Sequence, residues 1–293
     1  MKRFLIVAPL LLLFHSAGAA QQVVHRGAAA APDARIRIQN PVGAVRVTAW
    51  AHDSLAISTT ALEPGRRLVL QGDRGALELA VEGDTAGYRN DLEVRVPAGA
   101  RLTVKTVGGE IDIEGLTDSI TALTVSGKLR VGGAARAITA ESLDGNIEIA
   151  ADASTAAVHS GGGVIVLRGA IGVFEVTSVT GEILAGLTGP VSQGRLESLS
   201  GNVSFKGPLV PGGRLEAQSH SGDIDLRLSP ALGATYELDA YGGRIEDDLR
   251  PGGPRTLQGS ARFVVGDGKA TIIVRSFKGT IVLRHQESAG KRE

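Results

Sequence analysis

The chain has 293 residues, 31 Lys+Arg against 31 Asp+Glu, 40 glycines and no cysteine. Lacking cysteine, it has no disulfide framework, no thiol nucleophile and no lipid-bearing cysteine behind an export signal, and its balanced charge gives no electrostatic case for nucleic acid. The glycines recur on a period among aliphatic residues, which argues for turns and against disorder.

The first 20 residues read as an export signal peptide. Lys2 and Arg3 supply the positive end, Phe4 to Phe14 the apolar run, and Ala17, Gly18, Ala19 and Ala20 the small residues of a cleavage site. That run is too short to span a bilayer comfortably, and no later stretch is apolar enough for a membrane helix. The expectation is an extracytoplasmic protein, periplasmic or secreted, whose mature chain carries 29 basic against 31 acidic residues. Residues 21–35 are expected as an N-terminal linker, 36–285 as one β-domain, and 286–293 as a polar tail.

The domain opens with a strand, a glycine and a second strand: Ile36, Ile38, Asn40, Gly43, Val45 and Val47. Leu68, Leu70, Gly75, Leu77 and Leu79 nearly repeat this pattern as a second coil. Leu55 to Ile57 and Leu92 to Val96 read as extra strands that protect an open end from edge pairing, so residues 36–99 form a capping region. From about residue 100 to 248 the repeat is regular. Gly109, Gly127, Gly145, Gly163 and Gly181 are each 18 residues apart, and Gly201, Gly222 and Gly243 follow at slightly longer spacings. A loop is expected from Arg250 to Arg255, then a capping strand over Phe263 to Val265. A last coil has Ile272, Val274, Ser276, Gly279, Ile281 and Leu283, and residues 249–285 form the second capping region.

Counted from each corner glycine, apolar residues fall at minus seven, minus five, plus two and plus four, as with Leu102, Val104, Ile111 and Ile113 or Ile138, Ala140, Ile147 and Ile149. All share one parity, which is the mark of half-buried strands. The glycine is expected to supply backbone angles that other residues avoid, and a second small residue at plus six, as at Gly115, Gly133, Gly169 and Gly207, turns the chain again. One coil buries too few side chains to offset the entropy of ordering it, so coils must stack. The fold class expected is all-β: a single-domain parallel β-solenoid, or β-helix, of about 18–21 residues per coil with irregular capping strands at both ends.

Two slots are ambiguous. The hydroxyl at minus three (Thr106, Thr124, Ser142, Ser160, Ser178, Ser198, Ser219) shares the inward parity and is expected to bond neighbouring backbone at the corner, the alternative being an outward bulge. Minus two is often apolar, as at Val107, Val125, Leu143, Val179, Leu199, Tyr241 and Phe277. The corner is expected to turn these residues into the core; otherwise they form an exposed stripe fit for docking.

Asn40, Gly43, Val45, Val47 and Trp50, then Val94, Val96, Pro97, Ala98 and Gly99, with the hydroxyl, glycine and aliphatic runs that follow, resemble the bacterial putative-adhesin family of β-strand-repeat proteins, a domain of unknown function. The resemblance covers about residues 36 to 285. It implies an extracytoplasmic solenoid and brings no catalytic residues.

The residues also limit the chemistry. A calcium β-roll needs an aspartate and a glycine-rich turn every nine residues, whereas corner acids such as Asp144 and Asp223 are sporadic and read as solvated surface charge. Acid pairs such as Glu110 with Asp112, or Asp223 with Asp225, sit on alternate outward positions, as on any soluble sheet, without a cleft to separate their roles. Phe174, Phe205 and Tyr236 fall in inward slots, leaving no evident sugar-stacking platform. The histidines have no metal-ligand spacing, Ser160 beside His159 lacks a nucleophile elbow, and Gly161 to Gly163 lack the lysine of a phosphate loop. No catalytic residue, metal or cofactor is expected. One exposed feature departs from the polar rule: Val164, Val166 and Leu184 occupy outward slots on adjacent coils and are expected to form an interaction patch. The functional expectation is a rigid surface for protein interaction or adhesion in the cell envelope, with another envelope protein as partner. The alternatives are a polysaccharide-binding or polysaccharide-processing β-helix and a purely structural envelope-stress component.

Overall fold

The computed structural model describes residues 23–286 apart from residues 61, 63, 64, 84–88 and 251. The expected signal peptide and all of the expected polar tail except Gln286 lie outside the described residues. Every regular element described is a strand. The first part of the chain forms β1 (Val23–Ala29), β2 (Arg35–Val42), β3 (Val45–Trp50), β4 (Ser54–Thr60), β5 (Arg67–Asp73), β6 (Ala76–Glu82) and β7 (Leu92–Pro97). The regular repeat forms β8 (Arg101–Gly108), β9 (Ile111–Glu114), β10 (Ser119–Ser126), β11 (Leu129–Asp144), β12 (Ile147–Gly162), β13 (Ile165–Gly169), β14 (Ile171–Ser178), β15 (Ile183–Leu187), β16 (Val191–Ser198), β17 (Val203–Lys206), β18 (Leu209–Ser219), β19 (Ile224–Leu228) and β20 (Ala234–Asp247). The last strands are β21 (Arg255–Val265), β22 (Ala270–Ser276) and β23 (Ile281–His285).

The sequence period becomes a hydrogen-bond register. Leu129 pairs in parallel with Ile111 on one side and Ile147 on the other, Ile147 with Ile165, Ile165 with Ile183, Ile183 with Val203 and Val203 with Ile224. Residues in one slot therefore pile along the axis. Each coil contributes a strand before and a strand after its corner, and like strands of successive coils pair. In the regular repeat the slots at minus seven, minus five, plus two and plus four are buried, and apart from Gly194 and Asp247 these side chains belong to one hydrophobic cluster running from Ala30 to Leu283.

The corner glycines explain this close stacking, but not in the way expected. Only Gly43, Gly127 and Gly163 among them have left-handed φ, at 123°, 115° and 76°. What they share is lack of room. A Cβ added at Gly109, Gly127, Gly145, Gly163, Gly181, Gly201 or Gly222 would lie 1.7 to 2.6 Å from the carbonyl oxygen of the corner glycine one coil below. The glycine is required by the approach of the next backbone, and its conformational freedom matters at a minority of corners. At plus six, Gly115, Gly133 and Gly169 do take left-handed φ, and Gly207 does not.

The capping regions differ from expectation in four ways. Residues 23–29, expected as linker, form β1, which lies antiparallel on β4. The segment from Leu68 to Leu79 is a hairpin of β5 and β6, because Asp73 Oδ1 accepts the N–H groups of Gly75 and Ala76 at 2.8 and 3.1 Å and closes a tight turn. β6 stacks on β2 and β7 on β3, so β7 completes a coil rather than capping one. Finally, the coil of β22 and β23 is inserted between that of β18 and β19 and that of β20, which is displaced to the end. β21 lies antiparallel on β20 and finishes the stack.

Candidate functional edge

The corner side of the stack carries the clearest departure from polar-outside patterning. The minus-three residues Thr106, Thr124, Ser142, Ser160, Ser178, Ser198, Ser219 and Ser276 are buried in a row, with Asn40 at one end and Ala240 at the other. Their hydroxyls serve the corners. Ser178, Ser198, Ser219 and Ser276 accept the N–H of their own corner glycines at 2.8 to 2.9 Å, while Thr106 donates to Thr124 (2.9 Å) and Thr124 to the Ser126 carbonyl (2.9 Å). Ser160 Oγ donates to the Gly162 carbonyl. Ser142 Oγ alone in the row has no partner among the described residues.

One position on, the expectation of a buried minus-two row fails. Val107, Val125, Leu143, Val179, Leu199, Phe277 and Tyr241 are exposed, from 43% at Val125 to 69% at Tyr241. At Val107, Val125, Leu143 and Tyr241 the strands run on through this position, as β8 to Gly108 and β10 to Ser126, so the alternation that buries minus three turns minus two outward. At Val179, Leu199 and Phe277 the strand ends at minus three, and the residue that opens the corner still faces solvent. The result is an apolar ridge along the edge, interrupted at Gly161 and His220. Beside it runs the minus-four row, with Lys105, Leu123, Glu141, His159 and Thr177 in one half. Ridge and row enclose two shallow grooves of about 710 and 470 Å³. In the second groove His220 stacks on Phe277 (4.8 Å between ring centres) and Tyr241 lies 6.1 Å beyond. The reordered last coils bring these three rings together, which their spacing in the chain does not reveal.

Polar groups at the groove wall are already engaged. Arg195 bonds Glu197 at 2.7 Å, and this carboxylate holds the guanidinium pKa above its ordinary value. Arg275 lies 3.5 Å from Glu216 and 3.6 Å from Asp239. His159 Nδ1 is hydrogen-bonded to Thr177 Oγ1 (2.5 Å). Ser160, on the opposite face of the strand, is turned to its own corner, so the structure does not bring the two together as nucleophile and base.

Val166 and Leu184 lie on the second strands β13 and β15, and Val164 joins the corner Gly163 to β13. Val166 opposes Leu184 in register, and the Val164 N–H donates to Asn146 Oδ1 at 2.8 Å. All three are half-buried rather than fully exposed. Val166 and Leu184 floor a depression of about 380 Å³ bordered by Arg168, Lys206 and Arg227. On the same face Glu148 receives Lys128 (2.9 Å), Arg130 (3.3 Å) and Arg168 (3.4 Å), and the Lys128 hydrogen bond in particular holds its carboxyl below the usual range. Among the described residues no group of three or more His, Asp or Glu is placed to hold a metal ion.

Two solved structures align over nearly all of their length. A putative adhesin from Bacteroides fragilis is 13% identical with a TM-score of 0.51, covering 89% of this chain and 97% of its own. A putative lipid binding protein from Parabacteroides distasonis is 11% identical with a TM-score of 0.51, covering 90% and 97%. At such identities the likeness is one of fold. No curated protein matches the chain. The family model described as Toastrack DUF4097 matches residues 30–281, nearly the whole of the stacked strands, and the chain belongs to that family.

Proposed function

We propose that this protein is an exported, non-enzymatic, single-domain β-solenoid that presents its corner edge to a partner protein in the cell envelope. The observation that carries this reading is the apolar ridge of Val107, Val125, Leu143, Val179, Leu199, Phe277 and Tyr241, exposed on a scaffold whose other outward slots are mainly polar. Edge backbone groups are largely consumed between coils, as where Val179, Leu199 and Phe277 donate their N–H groups to the carbonyls of Ser160, Ser178 and Ser219. Recognition therefore proceeds through side chains, and the partner must offer apolar groups along a straight path. The half-buried pair Val166 and Leu184, with Val164, gives a second, smaller contact. The relatives named for adhesion and for lipid binding fit a binding scaffold.

A photo-crosslinking residue at position 143 or 199, in cells, tests the reading. It predicts the same protein adduct from both positions, none from a control at Ser154, an exposed residue of β12 seven positions before the ridge slot at Gly161, and loss of the adduct in a Val125→Asp, Val179→Asp variant that still folds. Adducts equally strong at the control position, or only with lipid, would refute it.

A further inference from the structure

The two ends of the stack are finished differently. At the first end β1 and β5 form separate edges, and Arg26 Nη1 donates to the Leu68 carbonyl (2.8 Å), tying one to the other above a buried Leu68. At the far end a single strand, β21, follows β20 antiparallel from Arg255 opposite Asp247 to Val265 opposite Ala234. None of its 11 residues is buried. Its inward row of Leu257, Ala261, Phe263 and Val265 packs on the core yet stays partly open, and Val264 is 54% exposed. Among the described residues β21 pairs with β20 alone, so its other edge presents backbone donors and acceptors without a strand beside them. It has no proline, and its Arg262 is drawn back to Glu237 at 2.5 Å, so proline and charge guard this edge weakly; the one irregularity is a register shift against β20 between Gly259 and Gln258, where Gly259 has φ 78°.

We propose that β21 is the interface of a two-fold dimer, in which the same strand of a second copy adds antiparallel along its outer edge. The missing occupant must be extended and apolar at alternate positions, to continue the row of Leu257, Ala261, Phe263 and Val265. The C-terminal residues 287–293 offer one apolar side chain, Ala289, and do not meet this need. β21 itself does. Antiparallel self-pairing is isologous and closes at two copies, whereas pairing β21 with β1 or β5 would leave ends free and grow a filament. A register centred on Ser260 sets Leu257 against Phe263, Thr256 against Val264 and Gln258 against Arg262, with no like charges opposed. The inference is independent of the ridge, which lies along the side of the stack.

The absence of cysteine makes the test clean, because a single introduced thiol reports proximity. In the chain lacking residues 1–20, sedimentation should give a dimer. Ser260→Cys should cross-link two copies under mild oxidation, and His25→Cys on β1 should not. Gln258→Arg, an exposed change that opposes two arginines across the interface, should return the chain to monomer with unchanged melting; Ser260→Pro should do the same by removing an edge donor. A wild-type monomer at all concentrations, cross-linking through His25→Cys alone, or dimerisation undisturbed by Gln258→Arg would each overturn the proposal.

Discussion

If corner glycines are chosen for space, replacing one with alanine should cost far more than replacing a glycine elsewhere in the same coil. At Gly181 an added Cβ would stand 1.7 Å from the Gly163 carbonyl oxygen, while real Cβ contacts stay beyond 3.0 Å, so the two coils must part by at least 1.3 Å at this corner. That displacement acts on the bonds that close the corner: Gly181 N–H to Ser178 Oγ (2.9 Å) and the Ile165 N–H to the Glu182 carbonyl (2.9 Å). Losing two or three such bonds at about 1 kcal/mol each predicts about 2–3 kcal/mol, a fall in Tm of roughly 4–12 °C for a chain of this size. Gly186, five residues on in β15, is the control. Its added Cβ meets nothing closer than 4.0 Å and its φ is not left-handed, so Gly186→Ala should stay within about 0.5 kcal/mol of wild type. Thermal melting followed by circular dichroism, with hydrogen exchange at the Ile165 and Ile183 amides, reads both variants. Equal stability of the two would show that stacking distance does not select glycine at the corner.

Three further outcomes follow from buried or paired groups. Because Glu148 has its pKa lowered through Lys128, its stabilising contribution is present above the unfolded carboxylate value and is lost as pH falls through the lowered folded value. Glu148→Gln should therefore flatten the acid limb of a stability-against-pH curve while leaving neutral stability less changed in slope. Tyr236, whose phenol is pushed up to about 12 chiefly by burial, keeps its contribution below the unfolded phenol value and loses it as pH rises toward 12. Tyr236→Phe should resist alkaline unfolding better than wild type in a pH titration followed by circular dichroism. Asp247 is fully buried, accepts the Leu249 and Arg250 N–H groups at 2.9 and 3.2 Å, and pairs with Arg250, whose guanidinium lies 4.2 Å over the Phe263 ring. Asp247→Ala should cost about 2–4 kcal/mol and expose residues 248–254 to limited proteolysis; unchanged cleavage would show that this link does not hold the last coil.

The interior was legible because its signal is strictly alternating and repeats. Ile111, Leu129, Ile147 and Ile165 stack as their spacing implies. The edge was misread by a single position. In the coils of Val107 and Leu143 the strand runs on past minus three, so alternation turns these residues into solvent where the corner was expected to turn them inside. The hairpin at Leu68 to Leu79 had its own signal in the aspartate-initiated turn at Asp73, Arg74 and Gly75, which competed with the coil pattern and won. Coil order at the far end left no trace in composition. Hydrophobic spacing fixes which face of a strand is buried, but it does not say which coil is next, and Gly279 fits beneath Gly243 as well as it fits above Gly222.

That interchangeability also locates where function can be written. In a stack held by one repeated set of inward residues, the inward slots are committed to packing and the corner to glycine and hydroxyl, so a coil can differ from its neighbours only on its outward slots and at the ends. Every candidate identified lies there: the ridge at minus two, the Val166 and Leu184 pair at plus three, and the open edge of β21. A change at Leu143 should therefore alter binding while leaving stability nearly untouched, whereas a change at Ile147, four residues away and buried, should do the reverse, with a loss of about 2–5 kcal/mol for Ile147→Ala. Measuring both properties on this pair separates scaffold from surface; a Leu143→Asp variant that melts as early as Ile147→Ala would mean that the ridge is structural.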